Sequence, residues 1–292
     1  MFVIKYKKIF LSISIALVVL SITAISIFGL NLGIDFKGGA QTEIYYNTTP
    51  KTQSEVEGAI APLALGQALI QPTGTNGYII KTRDLTEAEH VSMIQALGAD
   101  ATEKSFTSIG PSVGKELARK ALILFVLVSL GIIFFIAFSF RKVSKPISSW
   151  KYGLIAIVSL IHDVIIPVGV FSVISHFNGA EVDTLFVVAI LTILGLSVSD
   201  TIVVFDRIRE NLRAHHSHTF EHTVGHSLSQ VFSRSIMTSL TVIFVLLALV
   251  FFGPHSTRIF AIMLTAGMFF GTYSSIFLAS PMLVFLNNLQ KK

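Results

Sequence analysis

Six runs of ~20 apolar residues, each long enough at ~1.5 Å per helical residue to cross the ~30 Å core of a bilayer, constrain this chain more than any other feature. They fall at 9–30, 121–140, 152–176, 185–205, 235–252 and 259–286. Only 13% of the 292 residues are charged and 52% are hydrophobic, against a charged share of about 25% in a typical soluble domain. In hydrocarbon every backbone N–H and C=O must be satisfied within the segment, so runs of this kind become helices. The chain therefore reads as an α-helical polytopic membrane protein with six transmembrane helices.

The first run follows the basic start "MFVIKYKK". It is about twice the length of a signal-peptide core, and "SIFGLNLG" offers no small-x-small cleavage site, so an uncleaved anchor is expected. Lys and Arg of short loops set orientation. With the N-terminus inside, Lys5, Lys7, Lys8, Arg141, Lys142, Lys145, Lys151, Arg207, Arg209, Arg213, Lys291 and Lys292 all fall on the cytoplasmic side. The opposite loops, "NGAEVD" (178–183) and "GPHSTR" (253–258), hold no basic residue and one. A multi-pass protein of the bacterial cytoplasmic (inner) membrane with both termini cytoplasmic is expected. The net charge of +5 follows from this bias and from attraction to anionic lipid, with no nucleic acid needed. The chain has no cysteine, which excludes disulfide, thiol and cysteine–zinc chemistry.

The pattern divides the chain into residues 1–30 (N-terminal tail and first span), 31–119 (an extracytoplasmic domain) and 120–292 (five further spans, with a cytoplasmic loop at 206–234). In the domain, "GGAQTEIYYN" reads as a strand, and "PKTQSEVEGAIAPL" as a helix with Val56, Ile60 and Leu63 on one face. "QALIQPT" and "GYIIKTR" read as strands around the turn "GTNG". "LTEAEHVSMIQAL" reads as a helix whose Thr86 and Glu89 form a capping box, and "ATEKSFTSI" as a last strand. The order β-α-β-β-α-β is the small α+β ferredoxin-like plan. "GPSVGKE" (110–116) falls one residue short between its glycines and lacks a hydroxyl after Lys115, so it reads as a turn into the second span rather than a phosphate loop.

Two carboxylates interrupt the apolar runs, Asp163 in the third and Asp200 in the fourth. An ionisable group at that depth costs several kcal/mol, on the order of 3, and points to an ion pathway unless it serves as hydrogen-bonded glue between helices. Arg234, entering the fifth run, is the nearest candidate cation for Asp200. Ser197, Ser199, Thr201 and His162 are candidate hydrogen-bond partners, and His162 beside Asp163 is an accessory candidate. Gly267, Gly271 and Ser275 place small residues at fourfold spacing, a close-packing face. Of five histidines, His215, His216, His218, His222 and His226, the last three lie at i,i+4 spacing. Without a cysteine or a carboxylate set they read as a solvated loop, with no metal or cofactor expected.

These segments together resemble the SecF family of protein-export membrane proteins, within the resistance-nodulation-division superfamily. The carriers are "GLNLGIDFKGG" (29–39), "GPSVGKEL" (110–117), "LIHDVI" (160–165), "GLSVSDTIVVFDRIREN" (195–211) and "SLSQVFSRSIMTSLT" (227–241). They run in the family's order over nearly the whole chain, and 40–106 matches by plan rather than by motif. The resemblance implies a partner, SecD, with which such proteins form a twelve-helix unit. It also implies association with the SecYEG channel and use of the proton gradient in late export of unfolded polypeptide, the ATP-driven step belonging to SecA. It assigns proton coupling to Asp200 and Arg234. Where the family commonly has Tyr and Asn before this aspartate, the chain has Leu196 and Ser199.

Three other readings compete. An intramembrane aspartyl protease needs G-x-G-D, and the residues before the two aspartates are "SLIH" and "LSVS". A small-molecule exporter half would carry a much larger domain. A structural subunit whose SecD partner carries the proton work stays open. No ATPase or hydrolase motif is present, so a translocation subunit rather than an enzyme is expected.

Overall fold

The computed structural model describes residues 2–49, 51–66, 68–139, 149–214 and 219–290. In chain order these form α1 (Phe2–Lys5), α2 (Lys7–Phe28), α3 (Ile34–Lys37), β1 (Gly39–Tyr46), α4 (Gln53–Ile60), β2 (Leu69–Thr73), β3 (Gly77–Thr82), α5 (Glu87–Leu97) and β4 (Ala101–Ile109). Then follow α6 (Pro111–Ser139), α7 (Ser149–Asn178), α8 (Thr184–Ala214), α9 (Phe220–Phe252), α10 (His255–Ser274), a π-helical turn (Ser275–Ala279) and α11 (Ser280–Gln290). Among the described residues six helical stretches are long and apolar enough to cross a membrane, one for each apolar run. The chain divides into a helical unit (Met1–Asn31, Leu124–Ala180, Leu185–Lys292) and an α+β unit (Leu32–Ile123, Glu181–Thr184).

The α+β unit has one four-stranded antiparallel sheet, ordered β2-β3-β1-β4, with a bulge between Glu43 and Ile44. Alternation along β1 and β3 puts Ile44 and Ile80 on the face that α4 and α5 cover, where they meet Val56, Ile60, Met93 and Leu97. The Thr86–Glu89 capping box is formed as expected. A second box, Thr52 with Glu55, starts α4. The same T-x-x-E spacing was legible there, but Pro50 drew the expected start too early. Leu63 falls in a 3₁₀ turn (Ala61–Leu63) rather than on α4.

The glycine pair at 38–39 has a steric reason. Both residues adopt left-handed φ, +80° and +141°, a region that L side chains rarely enter. A Cβ on Gly38 would lie 2.8 Å from Pro111 Cα, and one on Gly39 would lie 2.7 Å from the Thr82 carbonyl. Gly114 packs as closely on Gly38 N, at 2.8 Å. The segments "GLNLGIDFKGG" and "GPSVGKEL", far apart in sequence, are thus two sides of one contact, with Pro111 opening α6 where a missing N–H costs nothing. In the same unit Gly33 N donates to the Val182 carbonyl (2.8 Å), and Asp35 accepts from Thr184 N (2.7 Å) and Thr184 Oγ1 (2.6 Å). Asp35 therefore caps the first residue of α8, where a carboxylate complements the helix dipole.

In the helical unit, α2 and α7 run side by side in the same direction. Ser172 Oγ donates to the Gly29 carbonyl (2.6 Å), and a Cβ on Gly169 would sit 2.5 Å from Ser21 Cβ. The small-residue face of α10 packs on α8: a Cβ at Gly267 would lie 2.2 Å from Ile193, and one at Gly271 would lie 3.3 Å from Ser197. The contact expected there is intramolecular.

The segment 206–234, set as a cytoplasmic loop into which the helix of the fourth span was expected to continue, is helical over 206–214 and 220–234, and 215–218 lie outside the described residues. α8 continues to Ala214 and α9 begins at Phe220, its first turn capped by Thr219 Oγ1 accepting from His222 N (3.3 Å). Phe220, Val224, Leu228 and Val231 form a buried stripe that joins Phe205 and Ile208 of α8 in one core. Hydropathy averaged over the window hid this i, i+4, i+8, i+11 pattern among charges. His222 and His226 stand on α9, whereas His215, His216 and His218 lie outside the described residues, as do Arg141, Lys142, Lys145, Lys291 and Lys292.

Two outcomes follow from these contacts. Gly267→Leu forces overpacking against Ile193, and thermal unfolding in detergent should show a loss of ~1–3 kcal/mol, whereas Gly131→Leu, with nothing within 4 Å of its Cβ, should be near neutral. The Arg83 guanidinium, followed by the Thr86 cap, holds Glu89 down to about 2. A depressed carboxylate contributes stability that is full above the ordinary value of ~4.3 and disappears as pH falls through the folded value. Hydrogen exchange at the first turn of α5 in the full-length protein should stay slow to pH near 2, and in Arg83→Met should quicken closer to pH ~4.

Candidate functional site

Asp163 is wholly buried on α7, at 0% exposure. Its Oδ1 lies 2.8 Å from His162 Nδ1. Its Oδ2 accepts from Ser274 Oγ at 2.6 Å and from Ser197 Oγ as well. Neighbouring residues on a helix point ~100° apart, and both side chains still find the interior because α7 is enclosed by α2 on one flank and α10 on another. The carboxylate thus ties α7 to α8 and to the end of α10. Of the partners expected from sequence, Ser197 and His162 are met. Thr201 instead pairs with Ser275 Oγ (2.9 Å), and Ser199 is exposed.

Asp200 is partly buried on α8. Oδ1 accepts from Ser235 Oγ at 2.8 Å, while Oδ2 is buried without a hydrogen-bond partner. Arg234 is exposed and forms no ion pair among the described residues. The direct Asp200–Arg234 pair expected from sequence is therefore not what this chain forms by itself. The reason is helical phase: once Ser235 faces α8, the preceding residue is turned away by ~100°. Above this pair, Ser239 Oγ meets Thr272 Oγ1 at 2.5 Å and donates to the Ser235 carbonyl at 2.9 Å. Asp163 and Asp200 have separate partners and share no hydrogen bond, unlike a protease dyad.

Sequence reading missed Ser235, Ser239, Thr272 and Ser274 as site residues. The available signal was hydroxyls recurring at i+4 inside apolar runs. The π-helical turn begins directly after Ser274, with Ser280 Oγ reaching back five residues to the Ser275 carbonyl (3.2 Å). Such turns reset which face the following residues present and gather at functional sites; no sequence pattern announces this one.

The histidine segment offers little chemistry. The His222 and His226 rings lie 6.4 Å apart and nearly parallel, and His226 Nε2 is 3.0 Å from Gln230 Nε2. Among the described residues no group of three or more His, Cys, Asp or Glu is placed to hold a metal ion.

The fold and this layer of hydroxyls and carboxylates define a multi-pass membrane protein whose bundle carries ionisable groups in its interior. Residues 89–289 match the family described as protein export membrane protein SecD/SecF, C-terminal, and residues 23–47 match the SecD/SecF GG motif, centred near the strained glycine pair. The chain is 39% identical to the protein translocase subunit SecF of Thermobaculum terrenum, across 98% of this chain and 94% of that one. It is 35% identical to the protein translocase subunit SecF of Haemophilus influenzae, across 94% and 82%. The crystal structure of SecDF, a translocon-associated membrane protein from Thermus thermophilus, superposes with a TM-score of 0.83 at 29% identity; it covers 98% of this chain, which spans 38% of that one. The chain belongs to the SecD/SecF family of protein export membrane proteins.

If Ser197 and Ser274 satisfy Asp163 as drawn, Ser197→Ala and Ser274→Ala should each lower stability by ~1.5–3 kcal/mol, the value of a hydrogen bond to a charged group. The double variant should depart from additivity because both donors share one oxygen. Unfolding of the four proteins in the same detergent measures both effects.

Proposed function

We propose that this chain is the SecF-like half of a SecD–SecF pair that couples the proton gradient to late steps of polypeptide export at the SecYEG channel. The observation that carries the reading is Asp200 Oδ2, a carboxylate oxygen buried in a membrane bundle without a hydrogen bond of good geometry, the nearby Ser275 hydroxyl being engaged with Thr201 and the Gly271 carbonyl. Such an atom has a vacant position for a proton, whereas Asp163, held by three side chains, is better placed as an accessory together with His162. Arg234 supports the pairing with SecD. Its guanidinium is exposed at the polar end of α9, just before the apolar run that starts at 235, a position that suits an interfacial anchor and leaves the charge accessible to a second half. There it lies next to Ser235, the donor to Asp200, and acts on that carboxylate through the assembled pair. The relatives named SecF and SecDF support the partner and the export role. The basic loops support cytoplasmic termini, which place the α+β unit on the outer side to meet emerging polypeptide. Its element order and β2-β3-β1-β4 sheet support the ferredoxin-like plan.

In this reading protonation of Asp200 changes its bond to Ser235 and lets α8 move relative to α9. A charge crossing the membrane field gains ~2.3 kcal/mol per 100 mV, enough over one or two protons to shift helices. The second reading, a structural subunit, is favoured only by the complete satisfaction of Asp163. The test is Asp200→Asn in the intact membrane complex, measuring gradient-dependent completion of export in vesicles. With SecD still co-purifying, the gradient-dependent part should vanish. Full retention of it would assign Asp200 to structure and the coupling to the partner.

A further inference from the structure

Beside the site just described, the bundle leaves three polar atoms that it does not use. Ser14 Oγ of α2 and Ser159 Oγ and His162 Nε2 of α7 are buried, at 1%, 0% and 2% residue exposure, and none makes a hydrogen bond of good geometry, the Tyr273 hydroxyl lying near Ser14. Leaving such groups dry costs ~1–3 kcal/mol each, and an apolar bundle has no reason to place three together. Their juxtaposition follows from the helix pairing. Ser21 of α2 packs against Gly169 of α7, and in parallel helices the contact recurs every seven residues, which brings Ser14 to His162. Ser159 lies three residues before His162, on the same face. From α10, the Tyr273 ring stacks on His162 (6.1 Å, 16°), and its hydroxyl donates to the Phe10 carbonyl, one turn before Ser14 (3.3 Å). The helix pairing thus brings Ser14 and Ser159 toward the ring edge opposite the one that meets Asp163, while Tyr273 covers a face of the ring.

We propose that a water molecule binds between Ser14 Oγ, Ser159 Oγ and His162 Nε2, and that through it His162 passes protons to and from Asp163. The chemistry of the ring demands a partner of this kind. When Asp163 is ionised, His162 Nδ1 donates to Oδ1 and the neutral ring has a lone pair at Nε2. When Oδ1 carries the proton, Nδ1 accepts and Nε2 carries hydrogen. The group facing Nε2 must therefore donate in one state and accept in the other. Water does both, and with two hydroxyls and an imidazole it finds the two to four polar partners that a buried water needs. The step balances. An excess proton reaching the water passes to Nε2 as Nδ1 releases one to Oδ1: one O–H breaks at the protonated water and one N–H forms at Nε2, one N–H breaks at Nδ1 and one O–H forms at Oδ1, so the water is left neutral, the carboxylate gains one proton and the ring changes tautomer. Release runs the same path backwards. The titratable groups facing His162 are Asp163 on its own helix and Tyr273 from α10; α2 presents only Ser14 and Phe10 there, and α8 contributes Ser197 to the carboxylate.

This relay extends the proposed proton coupling but is tested apart from it, in full-length protein carrying Asp200→Asn so that the coupling carboxylate is silent. Infrared difference spectra over a pH titration in lipid films should show a carboxylic-acid band that Asp163→Asn removes. Its hydrogen–deuterium exchange after a switch to D₂O gives the rate. Ser14→Ala with Ser159→Ala, and separately His162→Asn, should each slow that exchange by about a hundredfold or more, the low end of the usual range for losing a positioned proton carrier. Ser197→Ala, on the other side of the carboxylate, should move the band but leave the rate. Unchanged exchange in the serine double variant or in His162→Asn overturns the relay, and so does the absence of any Asp163 acid band across the titration.

Discussion

A carboxyl group withdrawn from water must be surrounded by donors, and this single requirement at Asp163 organises the bundle. Its Oδ2 takes hydroxyls from α8 and α10, and its Oδ1 takes the adjacent imidazole. Serine hydroxyls are short, so the two helices can reach α7 only if their backbones come close. That is why the approach is made over glycine: the stripe Gly267, Gly271 and Ser275 admits Ile193, Ser197 and Thr201 in turn. The aspartate and the glycines are one device. Either alone would be destabilising, the acid because its oxygens would be bare and the glycines because lipid offers them nothing to pack against.

The two carboxylates differ in what the fold grants them. Asp163 has every oxygen engaged, by a donor set drawn from its own helix, α8 and α10. Asp200, only partly buried, has one hydrogen bond of good geometry, from Ser235, and a second oxygen near the Ser275 hydroxyl without one. A proton arriving there disturbs one bond, between α8 and α9. The energetic contrast suits a division between a partly buried group that exchanges readily and an interior group whose state is tied to helix packing. One helix serves both: α8 carries Ser197, Asp200 and Thr201 within barely more than one turn.

Most of the architecture was legible because it follows from long-range periodicity. Six hydrophobic runs give six spans, and alternating strands with a capped helix give the α+β unit. What escaped was phase. Arg234 and Asp200 stand at the right depth to pair, but depth says nothing of azimuth, and Ser235 rather than Arg234 faces α8. Likewise Ser274 was passed over beside Ser275 of the packing stripe, because nothing in the sequence says that it faces Asp163 of α7. Phe220, Val224, Leu228 and Val231 were hidden by charged neighbours, although their spacing was in plain view. Composition decides the solvent of a segment; only the partner helices decide which side of it matters.

The same helix that bears Asp200 also begins in the α+β unit. Thr184, its first residue, is capped by Asp35, and the strand-like residue Val182 just before it pairs with Leu32. Sixteen residues separate Thr184 from Asp200, ~24 Å of continuous helix, with no proline in between. Unbroken helical hydrogen bonding over that length fixes the phase at which the polar residues leave α8. Asp200 therefore meets Ser235 of α9, while Ser197 and Thr201, turned to the other side, meet Asp163 of α7 and Ser275. A break in the helix between them would have let all three gather at one carboxylate; its continuity is what keeps the two acids on separate partners.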